Sequence, residues 1–183
     1  IALLGRKKFD LAKDDFTSAL QRDPNLARVY LNRGLAYRAL GQHDEAIADF
    51  STAIRQLPSA GLTLGGRLVT RLLEGLFETK PSENLALAEE LATVYGLRGR
   101  AHHAKGENDK ALLDFNEAIR RYPLAVHLLN RGTTYLDMGD HEKAKADIRV
   151  AKKTDPGLQL PSRVLHLLAG LGIPDFQRVV TAA

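Results

Sequence analysis

The stretch Leu26–Pro58, LARVYLNRGLAYRALGQHDEAIADFSTAIRQLP, decides the fold, because the chain writes it again. Leu91–Pro123, LATVYGLRGRAHHAKGENDKALLDFNEAIRRYP, aligns with it without a gap, and seventeen of the 33 positions are identical. Leu124–Pro156 carries the same punctuation as Arg131-Gly132, Tyr135, Gly139, Ala144, Asp147-Ile148, Ala151 and Pro156. Asp15-Phe16, Ala19 and Pro24 are the tail of a further copy. A repeat of this length means a stack of small modules, each burying its apolar face on the next.

Each copy reads as two helices. Leu26, Val29, Tyr30, Gly34 and Tyr37 recur at three- and four-residue steps and form one apolar stripe. Gly41 ends that helix, where a left-handed backbone costs glycine little. A second helix is expected from about Asp44, taken as its N-cap, through Ala46, Ile47, Phe50, Ala53, Ile54 and Leu57, with Pro58 stopping it. Gly34 and Ala46 are small because the two helices cross there, and Ala53 leaves room for the next unit.

The pattern resembles the tetratricopeptide repeat. Tyr30, Gly34, Tyr37, Gly41, Ala46, Phe50, Ala53 and Pro58 match its motif in one unit. Tyr95, Gly99, Gly106, Ala111, Phe115, Ala118 and Pro123 match in a second, and Gly132, Tyr135, Gly139, Ala144, Ala151 and Pro156 in a third. Phe9, Ala12, Phe16, Ala19 and Pro24 match the second half of a first unit. The departures are Arg33, Arg98 and Arg131 before the first Gly, His43, Asn108 and His141 in place of the second Tyr, and Ile148 in place of an aromatic residue. The resemblance implies an all-α fold, a right-handed superhelical solenoid of antiparallel helix pairs. Its expected parts are the second half of a truncated repeat over 1–26, a repeat over 27–60 and a degenerate helical pair over 61–91. Repeats over 92–124 and 125–158 follow, then capping helices over 159–183. Within 61–91 an alternative is a helix followed by one long helix reaching about Lys105.

Composition narrows the function. The net charge of +4 describes a mildly basic surface that favours acidic partners. No cluster interleaves Lys or Arg with aromatic residues, which disfavours nucleic acid. The absence of cysteine removes disulfides, thiolate metal sites and a Cys nucleophile. No apolar run approaches the ~20 residues that span a bilayer. The chain starts at Ile1 in mid-pattern, so upstream residues are expected to have been removed or left out. A cytoplasmic location is expected, with a periplasmic or membrane-associated one, through an upstream segment, as the alternative.

Arg33, Arg98 and Arg131 each precede an aspartate, Asp49, Asp114 and Asp147, by 16 residues. Acid and base travel together, which reads as an ion pair joining the two helices of a unit rather than a basic ladder for a ligand. By resemblance, a peptide or partner protein binds the concave face of the first helices. The expected contacts there are Arg28, Asn32, Leu35, Arg38, Arg100, His103, Asn130 and Thr133. Asn32 and Asn130 offer hydrogen bonds to a peptide, and Arg28, Arg38 and Arg100 attract acidic groups. Some members of the family clamp a C-terminal carboxylate with Lys, Asn and Arg. Asn32 suits one such position, but Thr93 and Leu97, or Val126 and Asn130, stand where the Lys and Arg belong.

Catalysis, cofactors and metals find no support. His102 and His103 are adjacent, so about 100° of helix rotation separates them and they do not share a ligand face. No nucleophile elbow or phosphate-cradling Gly-rich loop is present. The expected function is therefore a non-catalytic protein–protein interaction scaffold. The alternatives are an architectural subunit of a multiprotein, possibly membrane-associated complex, and a regulatory domain of a larger enzyme. The apolar residues from Leu165 to Val179 cap the last repeat or, alternatively, support self-association.

Overall fold

A computed structural model describes residues 2–57, 81–162 and 164–166. Among them are seven helices and no strand: α1 (Ala2–Arg22), α2 (Ala27–Ala39), α3 (His43–Gln56), α4 (Pro81–Ala104), α5 (Asn108–Arg121), α6 (Ala125–Asp137) and α7 (His141–Thr154). The chain divides into two compact units, Ile1–Tyr122 and Pro123–Ala183, each described by itself. In the first, α1 packs on α2, α2 on α3, α3 on α4 and α4 on α5. In the second, α6 packs on α7. Pro58, most of the interval 61–91 and most of the expected cap at 159–183 lie outside the described residues. Residues 81–91 belong to one helix of 24 residues, continuous with the first helix of the 92–124 repeat.

The turns inside the helix pairs are one design used three times. Gly41, Gly106 and Gly139 have φ of 78°, 77° and 80°. The Gly41 N–H bonds the Arg38 carbonyl at 3.1 Å, and the Gln42 N–H bonds the Tyr37 carbonyl at 2.9 Å. These two bonds are the Schellman closure, and a left-handed glycine makes both reachable. The pairs from Gly106 and Glu107 to His103 and His102, and from Gly139 and Asp140 to Leu136 and Tyr135, repeat it. Gln42 is also the N-cap of α3, its carbonyl receiving the Ala46 N–H at 3.1 Å. The N-cap is thus Gln42 rather than Asp44: the closure leaves a single residue between glycine and helix, which places Asp44 within the first turn. There its negative charge faces the positive end of the helix dipole. Only the α7 N-cap, Asp140, among the described caps accepts a bond through its side chain, from the Lys143 N–H.

The core is small residues around one large apolar side chain per pair. Phe50 is fully buried among Ala27, Ala46, Ala53, Leu57, Leu91 and Val94. Phe115 takes the same place in the next pair, and Ile148 in the second unit, beside fully buried Ala144 and Ala151. Gly34 is what admits the ring, since a Cβ there would sit 2.7 Å from Phe50 Cε1. At Gly99 it would sit 2.8 Å from Phe115 Cε1, and at Gly132 3.0 Å from Ile148 Cγ1.

Gly5, on α1, is the internal control: a Cβ there meets nothing within 4 Å. Gly5→Ala is expected to stabilise by up to ~1 kcal/mol through helix propensity alone. Gly34→Ala gains the same propensity but must displace a buried ring, and a net loss of about 1–3 kcal/mol is expected. Urea denaturation followed by circular dichroism compares them. Equal stabilisation by both substitutions would refute the close approach of α2 and α3.

Candidate functional site

Three arginines of the first helices are committed inside the fold. Arg33 Nε and Nη2 donate to the two oxygens of Asp49, both at 2.8 Å. Arg98 donates in the same way to Asp114 at 2.9 and 2.6 Å, and Arg131 to Asp147, both at 2.7 Å. The aspartates are buried, with 5–7% exposure, so these pairs are not the exposed kind that contributes almost nothing. Bonding to the aspartates holds each guanidinium above its usual pKa against the opposing effect of burial. The remaining donor reaches the preceding second helix: Arg33 Nη1 bonds Thr17 Oγ1 at 3.2 Å, and Arg98 Nη1 bonds Ser51 Oγ at 3.0 Å. Aromatic faces complete the seat, with Arg33 5.5 Å from the Tyr30 centroid and Arg98 5.4 Å from that of Tyr95. Arg33 and Arg98 therefore each tie three helices together.

On the face expected to bind ligand, the structure separates used from unused groups. Arg28 is exposed, but its Nε and Nη2 donate to Glu90 at 2.9 and 3.2 Å. Leu35 is half-buried and packs with Leu31 and Leu97 against the Phe50 core. His103 is half-buried and already partnered. Asn32 and Arg100 are exposed. Arg38 is half-buried, and its Nε is fully enclosed with no hydrogen-bond partner among the described residues. Arg38, Arg100 and Leu35 all belong to the first unit, where the charge of Arg100 acts on Arg38. Asn130 and Thr133 belong to the second, where the Asn130 carbonyl accepts the hydroxyls of Thr133 and Thr134 at 2.8 and 2.9 Å. His127, also in the second unit, is buried with neither ring nitrogen bonded, and burial lowers its pKa.

A second polar cluster closes the α4–α5 turn. Glu107 accepts from His102 Nδ1 at 2.6 Å and lies 3.1 Å from Lys105 and 3.3 Å from Lys110. His102, then Lys105, hold its carboxyl at about 2. Lys105 also donates to Asp44 at the start of α3. Sequence reasoning missed Glu90, Thr17, Ser51 and Glu107. Thr17 and Ser51 stand 34 residues apart, so the repeat register itself was the signal for them. Among the described residues no group of three or more His, Asp or Glu side chains is arranged to hold a metal, and no helix is long and apolar enough to cross a membrane.

Family models described as tetratricopeptide repeat match residues 27–59, 92–123 and 128–157, just over half of the chain. The chain belongs to the tetratricopeptide repeat family, whose helix pairs serve broadly as protein–protein interaction scaffolds. It is 29% identical over 163 residues to human tetratricopeptide repeat protein 6, covering 84% of the chain and 31% of that protein. It is 26% identical over 161 residues to the human mitochondrial import receptor subunit TOM70, covering 86% of the chain and 26% of that protein. The chain thus spans about a third or less of these curated relatives. Among solved structures, MamA is 22% identical, with 85% of this chain and 95% of that one covered and a TM-score of 0.36. YrrB, described as a TPR protein with an unusual peptide-binding site, is also 22% identical, with 90% and 86% covered and a TM-score of 0.37.

Removing Asp114 leaves Arg98 charged in a largely dry site. Asp114→Ala is expected to lose about 3–5 kcal/mol, and the Arg98→Met, Asp114→Leu double variant markedly less. Urea midpoints of the two variants test the coupling, and additive losses would show that the pair is not a unit. For Glu107, a folded pKa of about 2 against an ordinary 4.5 means the carboxylate stabilises the fold above pH 4.5. That contribution is lost as pH falls from 4.5 through 2. Thermal unfolding of Glu107→Gln should therefore fall below wild type at neutral pH and converge with it near pH 2.

Proposed function

We propose that the chain is a non-catalytic scaffold that holds an extended peptide segment of a partner protein on its first-helix face, in a concave groove, with a preference for acidic ligands. The observation that carries this reading is the division among the arginines. Arg33, Arg98 and Arg131 are bonded to buried aspartates. Arg38 and Arg100, on α2 and α4, take no carboxylate among the described residues. A surface that leaves cationic donors unspent suits an anionic partner. Asn32 adds an exposed amide able to donate to and accept from a peptide backbone. Helices fixed by three-way arginine ties are already ordered, so binding loses little conformational entropy in the protein. Arg28 has a smaller part, because Glu90 already neutralises it.

Family membership supports a role in protein interaction, and the relative named as an import receptor subunit is one such setting. Affinity capture from the source cell, by the intact chain and by an Asn32→Ala, Arg100→Glu variant, tests the reading. A partner captured by wild type and lost by the variant is the expected outcome. A partner held equally by both would overturn the groove and favour an architectural subunit that docks, or self-associates, through another surface.

A further inference from the structure

α2 and α4 run side by side in a common register. Arg28 bonds Glu90, 62 residues on, and Asp44, just past α2, bonds Lys105, 61 residues on. Both partners advance in the same direction, so the helices are parallel. Arg38 and Arg100 are likewise 62 residues apart, which sets them at one level of the two helices, between those ion pairs. That level lies ten residues, or about 15 Å, beyond Arg28 and Glu90.

What differs is the sign. At the flanking levels a base meets an acid, whereas here a base meets a base, close enough that the charge of Arg100 opposes that of Arg38. Among the described residues, the acids bonded along α2 and α4 are taken: Glu90 by Arg28, Asp44 and Glu107 by Lys105, and Asp49 by Arg33. Arg38 Nε is enclosed by protein and donates to nothing. An enclosed guanidinium donor with no acceptor is costly, and a second cation beside it adds to the cost. A bound oxyanion offsets the opposition of the two charges, because its oxygens accept from the terminal nitrogens of both guanidinium groups.

We propose that Arg38 and Arg100 form a two-arginine seat for a single carboxylate of a bound acidic peptide. The seat rests on the groove reading above and identifies which groups on that face read charge. It is distinct from a Lys, Asn and Arg clamp, whose positions on α4 hold Thr93 and Leu97. The carboxylate comes from an Asp or Glu side chain or from a chain terminus, and the fork chemistry is shared by both.

Two peptides separate those sources: tetraglutamate with a capped N-terminus and an amidated C-terminus, and capped tetra-alanine with a free C-terminus. Each is titrated into the intact chain while the arginine Nε–Hε resonances are followed by NMR. The Arg38 resonance should shift saturably with one or both peptides, while those of Arg33 and Arg98, already bonded, stay in place. Arg100→Gln, an exposed substitution that leaves the core intact, should weaken binding about tenfold or more. The same variant should unfold at higher temperature than wild type at low salt, because the opposing charge is gone. Glu90→Gln frees Arg28 about 15 Å from the seat and should leave the affinity for tetra-alanine, which carries a single carboxylate, within about twofold.

Equal affinity of wild type and Arg100→Gln for both peptides, or an unmoved Arg38 resonance at saturation, would overturn the seat. Such a result leaves the partner-capture experiment free to succeed through Asn32 and other contacts, so the two readings fail separately. A response to tetraglutamate alone assigns the seat to acidic side chains, and a response to tetra-alanine alone assigns it to a chain terminus.

Discussion

The buried carboxylate at the crossing of each helix pair is the constraint on which the rest depends. Asp49, Asp114 and Asp147 are almost fully removed from water, which an isolated charge does not tolerate. Each therefore requires a cation of matching geometry, and a guanidinium presents two parallel donors where an ammonium presents a point charge. That requirement fixes the direction of Arg33, Arg98 and Arg131, and with it the rotation of the first helix against the second. The hydroxyls of Thr17 and Ser51 absorb the next donor of Arg33 and Arg98. A hydrophobic pair of equal volume would give comparable stability and leave that rotation less defined.

The same rotation determines what is left over. With Arg98 turned toward Asp114, Arg100 stands two residues along on an exposed position. Arg38 lies five residues after Arg33, half-buried, with its Nε enclosed and unbonded among the described residues. The recognition proposed for this face thus depends on the packing chemistry behind it. Arg33, Arg98 and Arg131 meet aspartates and hold the helices, whereas Arg38 and Arg100 take no carboxylate among the described residues.

The helix pairs were legible in the sequence because their causes repeat. The glycine that must be left-handed, the glycine that must admit a large side chain and the alanines between facing helices each recur at the same intervals, 65 and 33 residues, so chance is a poor explanation for them. The cap of α3 was misplaced at Asp44 because propensity for aspartate ignores the Schellman closure, which leaves room for one residue only and puts Gln42 there. The Arg–Asp spacing of 16 residues was visible, but its burial was not, since exposure depends on neighbouring helices. Glu90 was invisible for a related reason. It lies in the divergent part of the chain, where no motif matches, and its meeting with Arg28 depends on a register of 62 residues rather than the repeat length. Glu107 escaped because it stands five residues after His102, across a turn rather than along a helix face.

The third hydrogen bond of the arginine has a consequence for where the molecule divides. The sequence repeats in blocks of two helices, yet Arg33 reaches back to Thr17 and Arg98 reaches back to Ser51, each crossing a block boundary. The smallest set of helices in which all three guanidinium nitrogens of Arg33 or Arg98 are bonded is therefore three, and successive sets share a member. A cut placed at the motif boundary strands one donor on the downstream piece. Modularity in the written text and modularity in the folded object are out of phase by one helix, so a fragment or a graft drawn along the motif inherits a loose end.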